Sequence, residues 1–216
     1  MRCACSFFEF LILMYNSIQC SVSPHVLQPP KKETEGALEY PALVHRLDSS
    51  TSGLLVLAKT TQASMFLSNE FEQRQVCKTY TALLQGIPSH GDLIDYPIDG
   101  KPSVTIWKEC KRINTTKGVL TMVEFYPETG RKHQLRKHAS EVLKCPIVGD
   151  ESYGSTLGRS LFLCANHIRI KHPINDGWVE QSIELPKRFN EYITREETRY
   201  NRHQNYLENE SLRSID

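Results

Sequence analysis

Leu54, Leu55, Val56, Leu57 and Ala58 form an unbroken apolar run between Gly53 and Lys59. A run of that length without polar alternation predicts a strand buried on both faces. Ala63, Phe66, Leu67 and Phe71 then recur at helical spacing behind Thr60 and Thr61, which predicts a helix over 62–75. Alternation takes over at 78–86, with Tyr80, Ala82 and Leu84 on one side, and at 119–126, with Val119, Val123 and Phe125 on one face. Both stretches read as strands. Leu135, His138, Ala139, Val142 and Leu143 follow the i, i+3, i+4, i+7, i+8 rule, so a helix is expected over 131–143 with Thr129 as its candidate cap. A further strand at 161–170 ends before His172 and Pro173. Short strands with two interspersed helices indicate an α+β fold with a mixed, mostly antiparallel sheet flanked by helices.

The ends of the chain are less regular. Residues 7–15 are apolar apart from Glu9, well short of the roughly 18 residues that cross a bilayer. No small-residue cleavage site follows, so a buried strand or an ill-fitting terminus is favoured over a targeting signal. Prolines and charges at 24–35 mark a linker. The expected organisation is an atypical N-terminal segment and linker at 1–36, an organised domain at 37–189, and a charged tail at 190–216, helical or disordered. There is no internal repeat and no low-complexity tract.

Charge changes this picture locally. The 216 residues carry 26 Lys and Arg against 25 Asp and Glu. Between Lys101 and His172, however, 13 basic residues face 6 acidic ones, a surplus of +7, which suits contact with a polyanion. The seven cysteines contain no CxxC pair, which points to free thiols in a reducing compartment and to no metal site. Gly86 and Gly91 lack the Lys and Ser or Thr of a phosphate-binding loop. No G-x-S-x-G elbow and no dinucleotide fingerprint is present, so nucleotide hydrolysis, serine hydrolysis and dinucleotide redox chemistry are set aside.

Three stretches have the residue types for chemistry. His45 to Gly53 is a polar loop feeding the most apolar strand, and Asp48 on it either reaches a ligand or caps its own turn. Arg131, Lys132 and His133 stand at the expected start of a helix, where cations oppose the macrodipole unless a phosphate is bound there. The same run also reads as an ordinary basic surface helix. Arg136 is suited to holding a buried carboxylate ionised. Tyr80 is either a core tyrosine with a satisfied hydroxyl or a stacking face for a base.

In order along the chain, HRLDSSTSGLLVLAK at 45–59, KTYTALLQG at 78–86, TGRKHQLRKH at 129–138, PIVGDESYG at 146–154 and LFLCANHIRIKHP at 161–173 resemble the RluA-like pseudouridine synthases. Five ordered matches over about 130 residues are far more specific than any one of them. The resemblance implies an RNA pseudouridine synthase, an isomerase that breaks the N-glycosidic bond of uridine, rotates the base and rejoins it through carbon, with no metal or organic cofactor. By motif position Asp48 is the catalytic carboxylate, Tyr80 the tyrosine that stacks on the flipped base and acts as base in the elimination step, and Arg136 the arginine paired with the aspartate. Arg46 matches the loop arginine that holds RNA, and Arg131, Lys132 and His133 extend that surface.

The implied partner is RNA, ribosomal or transfer, with no membrane and a monomeric enzyme. The cytoplasm is favoured over the mitochondrion. The family's strand and lysine-proline segment before the HRLD loop are not evident in residues 1–44, so either the apolar run at 7–15 stands in for them or the N-terminal part of the sheet is incomplete. The competing reading is a catalytically silent RNA-binding relative of the same fold. A carboxylate-dependent glycosidase would need a second acid, for which Asp92, Asp95, Asp99 and Asp150 are available but nothing in the sequence places one beside Asp48.

Overall fold

The computed structural model describes residues 3–6, 10–15, 35–89, 91–175 and 177–213. The predicted apolar strand is β4 (Ser52–Thr60), with seven of its nine residues buried. Before it come β1 (Cys3–Ser6), β2 (Phe10–Tyr15) and β3 (Ala37–Leu43). After it run α1 (Thr61–Glu72), β5 (Cys77–Gln85), β6 (Leu93–Asp95), β7 (Val104–Thr115) and β8 (Gly118–Pro127). The chain continues through α2 (Gln134–Lys137), β9 (Leu163–Lys171), β10 (Trp178–Ser182) and α3 (Lys187–Arg213). Thr60 caps α1 by accepting from the Ala63 N–H at 3.1 Å, the arrangement a Thr preceding a helical apolar pattern predicts.

One sheet joins the strands in the order β1-β2-β4-β9-β5-β8-β7-β6, with β3 also paired to β4 and β10 to β9. Every pairing is antiparallel except β4 with β9, which meet only at Ser52–Cys164 and Gly53–Ala165. The mixed, mostly antiparallel sheet expected from the sequence is present. At the parallel junction Gly53 has φ of 131°, and a Cβ there would stand 2.2 Å from the Ala165 carbonyl oxygen. Only glycine lets the end of the 45–53 loop enter the sheet so close to β9.

Two apolar clusters flank this junction. One gathers Phe10, Ile12, Leu54, Val56, Ala63, Leu67, Ile168 and Ile170 from β2, β4, α1 and β9. The larger one joins β5, β7 and β8 to the segment at 135–148, to Phe162 and to the first turns of α3.

The structure decides between two readings of the N-terminus and departs from expectation at two other places. The apolar run near the N-terminus takes the first of its two readings: β2 pairs antiparallel with β4 from Phe10–Ala58 to Tyr15–Gly53 and buries Phe10 and Ile12 fully. β1 and β2 thus share one sheet with the strands that follow residue 36. The proline-marked linker at 24–35 falls outside the described residues apart from Glu35.

The segment drawn as a tail from residue 190 is helical, and α3 crosses that boundary. Phe189, Tyr192, Ile193 and Glu196 are buried on one helical face, which the surrounding charges conceal in the sequence. The basic helix, for its part, begins at Gln134 and not at Arg131, with His133 left-handed at φ of 54°. Gln134 explains the late start. Its side chain accepts from the Arg131 N–H and from Thr129, and donates to the Val104 carbonyl and Thr105, so residues 129–131 are tied to β7. A single π turn, His138–Val142, continues the helix.

Candidate functional site

The loop between β3 and β4 carries Asp48. The turn at its end is closed by the Asp48 main-chain carbonyl, which accepts from the Thr51 N–H at 2.9 Å. The carboxylate is thus not consumed as a turn cap and faces a cleft of about 300 Å³. Tyr80 enters the same cleft from β5. Opposite Tyr80 the β5–β9 register slips, with Thr79 facing His167 and Tyr80 facing Ala165, so Asn166 is bulged out of the ladder. Bulges re-aim neighbouring side chains, and here the displaced ladder borders the cleft. Arg131, His133 and Arg136 complete the wall from the third segment, and Arg46 lies at the exposed rim.

The basic run between 131 and 138 is divided by its environment. Arg131, His133 and Arg136 face the cleft, and Lys132 is exposed to solvent. Lys137 pairs with Asp99 at 2.8 Å, and His138 is fully buried against Thr105 and the Tyr96 carbonyl. The sequence could not separate these roles, because a shift of one residue in helix start rotates each side chain by about 100°.

Arg136 is the central charge. Its Nε and Nη2 donate to Asp150 at 2.7 Å each, a bidentate pair with Asp150 1% exposed and Arg136 9% exposed at their side chains. Its remaining nitrogen, Nη1, is 3.8 Å from Asp48 Oδ2. The pairing with Asp48 is therefore an electrostatic contact beyond hydrogen-bond length, and the closest partner of Arg136 is Asp150. The guanidinium also lies 4.8 Å from the centre of the Tyr153 ring. Tyr153 in turn shares a 2.8 Å hydrogen bond with His133 Nδ1, while His133 Nε2 stands 3.8 Å from Asp48.

The sequence offers Asp150 only as one of four candidate second acids and marks no role for Tyr153. The signal lay in PIVGDESYG, where Gly149 has φ of 82° and a Cβ would meet the Ser160 carbonyl oxygen at 1.9 Å, fixing the approach of Asp150. Asp150 is linked to Asp48 through Arg136, which contacts both. Held by two hydrogen bonds from one arginine, it is not free to act as the second acid of a glycosidase.

Protonation states follow from burial and these charges. The Tyr80 phenol is pushed well above its usual range, first by burial, then by the charge of Asp48 and by Cys164. Burial lowers His133 against the opposing pull of Asp48. The Asp150 hydrogen bonds hold Arg136 firmly charged despite its burial.

His45, the first residue of the loop motif, anchors the site from behind. Its Nε2 accepts from the Val56 N–H at 2.9 Å, and its ring stacks on Phe71 at 4.5 Å between centres. Burial, and then the Lys78 charge, lower its pKa from 6.5 to about 3. The unfolded chain therefore binds this proton more readily than the folded one. Stability from this group is complete above pH 6.5 and declines as the pH falls from 6.5 toward 3, by an amount on the order of a few kcal/mol. His133 and His138, also lowered, act in the same direction. His45→Gln, which accepts from Val56 without titrating, is expected to flatten this decline in urea titrations across that window. Parallel profiles for the two proteins would remove His45 as its source.

No group of His, Cys, Asp and Glu arranged to hold a metal ion occurs among the described residues, and none of their helices is long and apolar enough to cross a membrane.

Comparison with known proteins places the chain in a family. Residues 23–141 match the RNA pseudouridylate synthase family. A ribosomal large subunit pseudouridine synthase C of Rickettsia prowazekii is 38% identical over 175 residues, covering 71% of this chain and 55% of that protein. An uncharacterised RNA pseudouridine synthase of Zymomonas mobilis is 42% identical over 137 residues, 56% of this chain and 61% of that one. A tRNA pseudouridine synthase C of Yersinia pestis is 32% identical over 164 residues, 61% of this chain and 63% of that one. The chain thus spans little more than half the length of the curated relatives it matches. The structure of human RNA pseudouridylate synthase domain containing 1 matches with a TM-score of 0.66 at 25% identity, covering 84% of this chain and 82% of that one. That of human RNA pseudouridylate synthase domain containing 4 shares the fold, with a TM-score of 0.65 at 22% identity over 87% and 89% of the two chains. Since the family match takes in more than half of the residues, including the Asp48 loop, Tyr80 and Arg136, this chain belongs to the RNA pseudouridylate synthase family.

Proposed function

We propose that this chain isomerises uridine to pseudouridine in structured RNA, ribosomal or transfer, with Asp48 as the catalytic carboxylate. The observation that carries the reading is the convergence of Asp48, Tyr80 and Arg136, from three distant segments, on one cleft with a cationic wall. An extruded nucleotide needs an ionised carboxylate, a stacking face and positive charge for its phosphates, and these three elements are of that kind. Asp48 acts on the sugar, as nucleophile or as stabiliser of the carbon left after glycosidic cleavage. Arg136, clamped by Asp150, supplies a fixed positive charge beside it without sealing it in a short ion pair.

Tyr80, protonated at rest, provides the stacking face. To serve as the base of the elimination step its phenol must first pass its own proton to another group, a loss that burial opposes first and the Asp48 charge second. Arg46, Arg131, Lys132 and His133 hold the RNA at the rim. The named relatives include a ribosomal and a transfer RNA enzyme, which supports structured RNA as the substrate class. The free thiols of Cys77, Cys110, Cys145 and Cys164 support a reducing compartment, and the proposal is completed by action in the cytoplasm as a monomer.

The test is to incubate the purified chain with total RNA and to measure pseudouridine by nucleoside mass spectrometry. New pseudouridine supports the reading, and its absence from folded protein that binds RNA overturns it in favour of a silent relative. Lys132→Ala is expected to weaken RNA binding and to flatten its salt dependence by about one phosphate contact, with kcat retained. An unchanged salt slope would exclude Lys132 from the RNA surface.

A further inference from the structure

Beyond the catalytic cleft the cationic surface continues in a direction that the reaction itself does not require. Arg136 borders both that cleft and a second groove of about 440 Å³, whose other walls include Ser49, Ser50, Asp150 and Arg159. Arg159 and Ser160 border in turn a third groove of about 710 Å³, between the loop at 156–162 and the first turns of α3. Lys117, Arg159, Arg188, Arg195 and Arg199 line this last groove against Glu191 and Glu196, leaving a positive surplus.

Three of these cations, Arg188, Arg195 and Arg199, are held in place, and the last two remain open to solvent. Glu196, 7% exposed at its side chain, lies 3.0 Å from Arg199 and 3.5 Å from Arg195, whose own side chains are 57% and 55% exposed. The Arg195 guanidinium also stacks over the Tyr192 ring at 4.9 Å. Arg188, on the floor, donates to Ser52 Oγ and to the Leu161 carbonyl, tying α3 to the end of the catalytic loop.

Arg159 is exposed and makes no ion pair among the described residues. Its loop is pinned by the close approach of Gly149 to Ser160, by the hydrogen bond from the Gly149 N–H to the Leu157 carbonyl at 2.7 Å, and by that from the Phe162 N–H to the Val148 carbonyl at 2.9 Å. The guanidinium groups of Arg195 and Arg199, fixed before binding, lose little rotamer freedom on meeting a phosphate, and the pinned loop sets where the free Arg159 side chain starts.

We infer that the groove between the 156–162 loop and α3 binds the sugar-phosphate backbone of the RNA strand leaving the catalytic cleft, with Arg159 as the bridging contact. This rests on the proposed action on RNA, but it assigns a separate surface, formed by the helix that the sequence marked only as a charged tail. The occupant is RNA and not a small anion, because three adjoining grooves, sharing Arg136 and then Arg159 and Ser160, lead away from Asp48 and a single phosphate would fill only one of them. A contact of this kind positions the strand and leaves the chemistry at Asp48 unchanged.

The experiment uses the full chain with transcribed large-subunit ribosomal RNA, measuring binding against salt concentration alongside pseudouridine formation at saturating RNA. Arg159→Ala is expected to weaken binding several-fold and to reduce the slope of log K against log salt by about 0.7–0.9, the value of one phosphate contact. Arg159→Ala with Lys117→Ala is expected to reduce the slope by roughly twice that amount, with kcat retained in both. Circular dichroism spectra matching the wild type exclude misfolding as the cause.

Unchanged slopes in both variants, with wild-type binding intact, would overturn the groove and leave the catalytic reading standing. Wild-type protein that binds RNA but forms no pseudouridine would overturn the catalytic reading, while reduced slopes in the variants would still support the groove. Wild-type protein that fails to bind RNA would overturn the groove outright.

Discussion

Asp48→Asn is expected to abolish pseudouridine formation while leaving the fold and RNA binding close to wild type. The substitution is nearly isosteric and removes only the charge and the reactive oxygen. Asp48 sits on a loop, 21% exposed at its side chain, and its nearest charged partners are 3.8 Å away, so little folding energy depends on it. Turnover, by contrast, requires a carboxylate at the sugar. Removal of such a group costs about four or more orders of magnitude in related cases of covalent catalysis. Single-turnover formation of pseudouridine, read by mass spectrometry alongside RNA affinity, separates the two effects. Activity retained within tenfold of wild type would remove Asp48 from the chemistry.

Asp150→Ala is expected to damage both stability and activity, for a reason specific to burial. The Asp150 and Arg136 side chains are 1% and 9% exposed and share two hydrogen bonds of 2.7 Å. Deleting one partner leaves a buried charge uncompensated, with a cost of about 3–5 kcal/mol. Part of that cost is offset if Arg136 turns toward Asp48, 3.8 Å away, but the shorter pair then ties up the carboxylate that the reaction needs. Urea unfolding should show a lowered midpoint at unchanged slope, and the remaining folded enzyme should have a reduced kcat. The paired change Arg136→Met with Asp150→Leu is expected to recover most of the stability, because it removes both charges, and to recover none of the activity. Wild-type stability in Asp150→Ala would show that the pair does not hold the site together. Recovered activity in the double variant would show that no cation is needed beside Asp48.

Legibility in the sequence followed the range of the forces concerned. The Asp48 loop was readable because a polar, glycine-closed stretch runs directly into an apolar strand, and Gly53 has no alternative where its Cα approaches Ala165. Strands β4, β5, β8 and β9 and helix α1 showed their apolar periodicity with little interruption. Strand β7 did not, because Lys108, Glu109, Lys111 and Arg112 mask the buried positions Thr105, Trp107, Ile113 and Thr115, and a bulge at Cys110 shifts its register. The start of α2 was placed three residues early because Gln134, by bonding β7 across about 30 residues, overrides the local helical pattern of Arg131 and Lys132.

What the sequence determined by itself was the set of elements with uninterrupted periodicity, the presence of a mostly antiparallel sheet, and the family resemblance carried by five ordered motifs. The tertiary structure alone decided which charges meet. Arg136 is bound to Asp150 and only near Asp48, His45 supports the loop from behind, and the run from Arg131 to His138 divides between cleft, solvent and core. It also decided that β2 fills the sheet beside β4 and that the start of α3 is core. The physical reason is common to all of these. Periodicity reports the local geometry of a few successive residues, whereas an ion pair, a buried charge or a strand's neighbour depends on groups brought together by folding, and the chain records no distance between them.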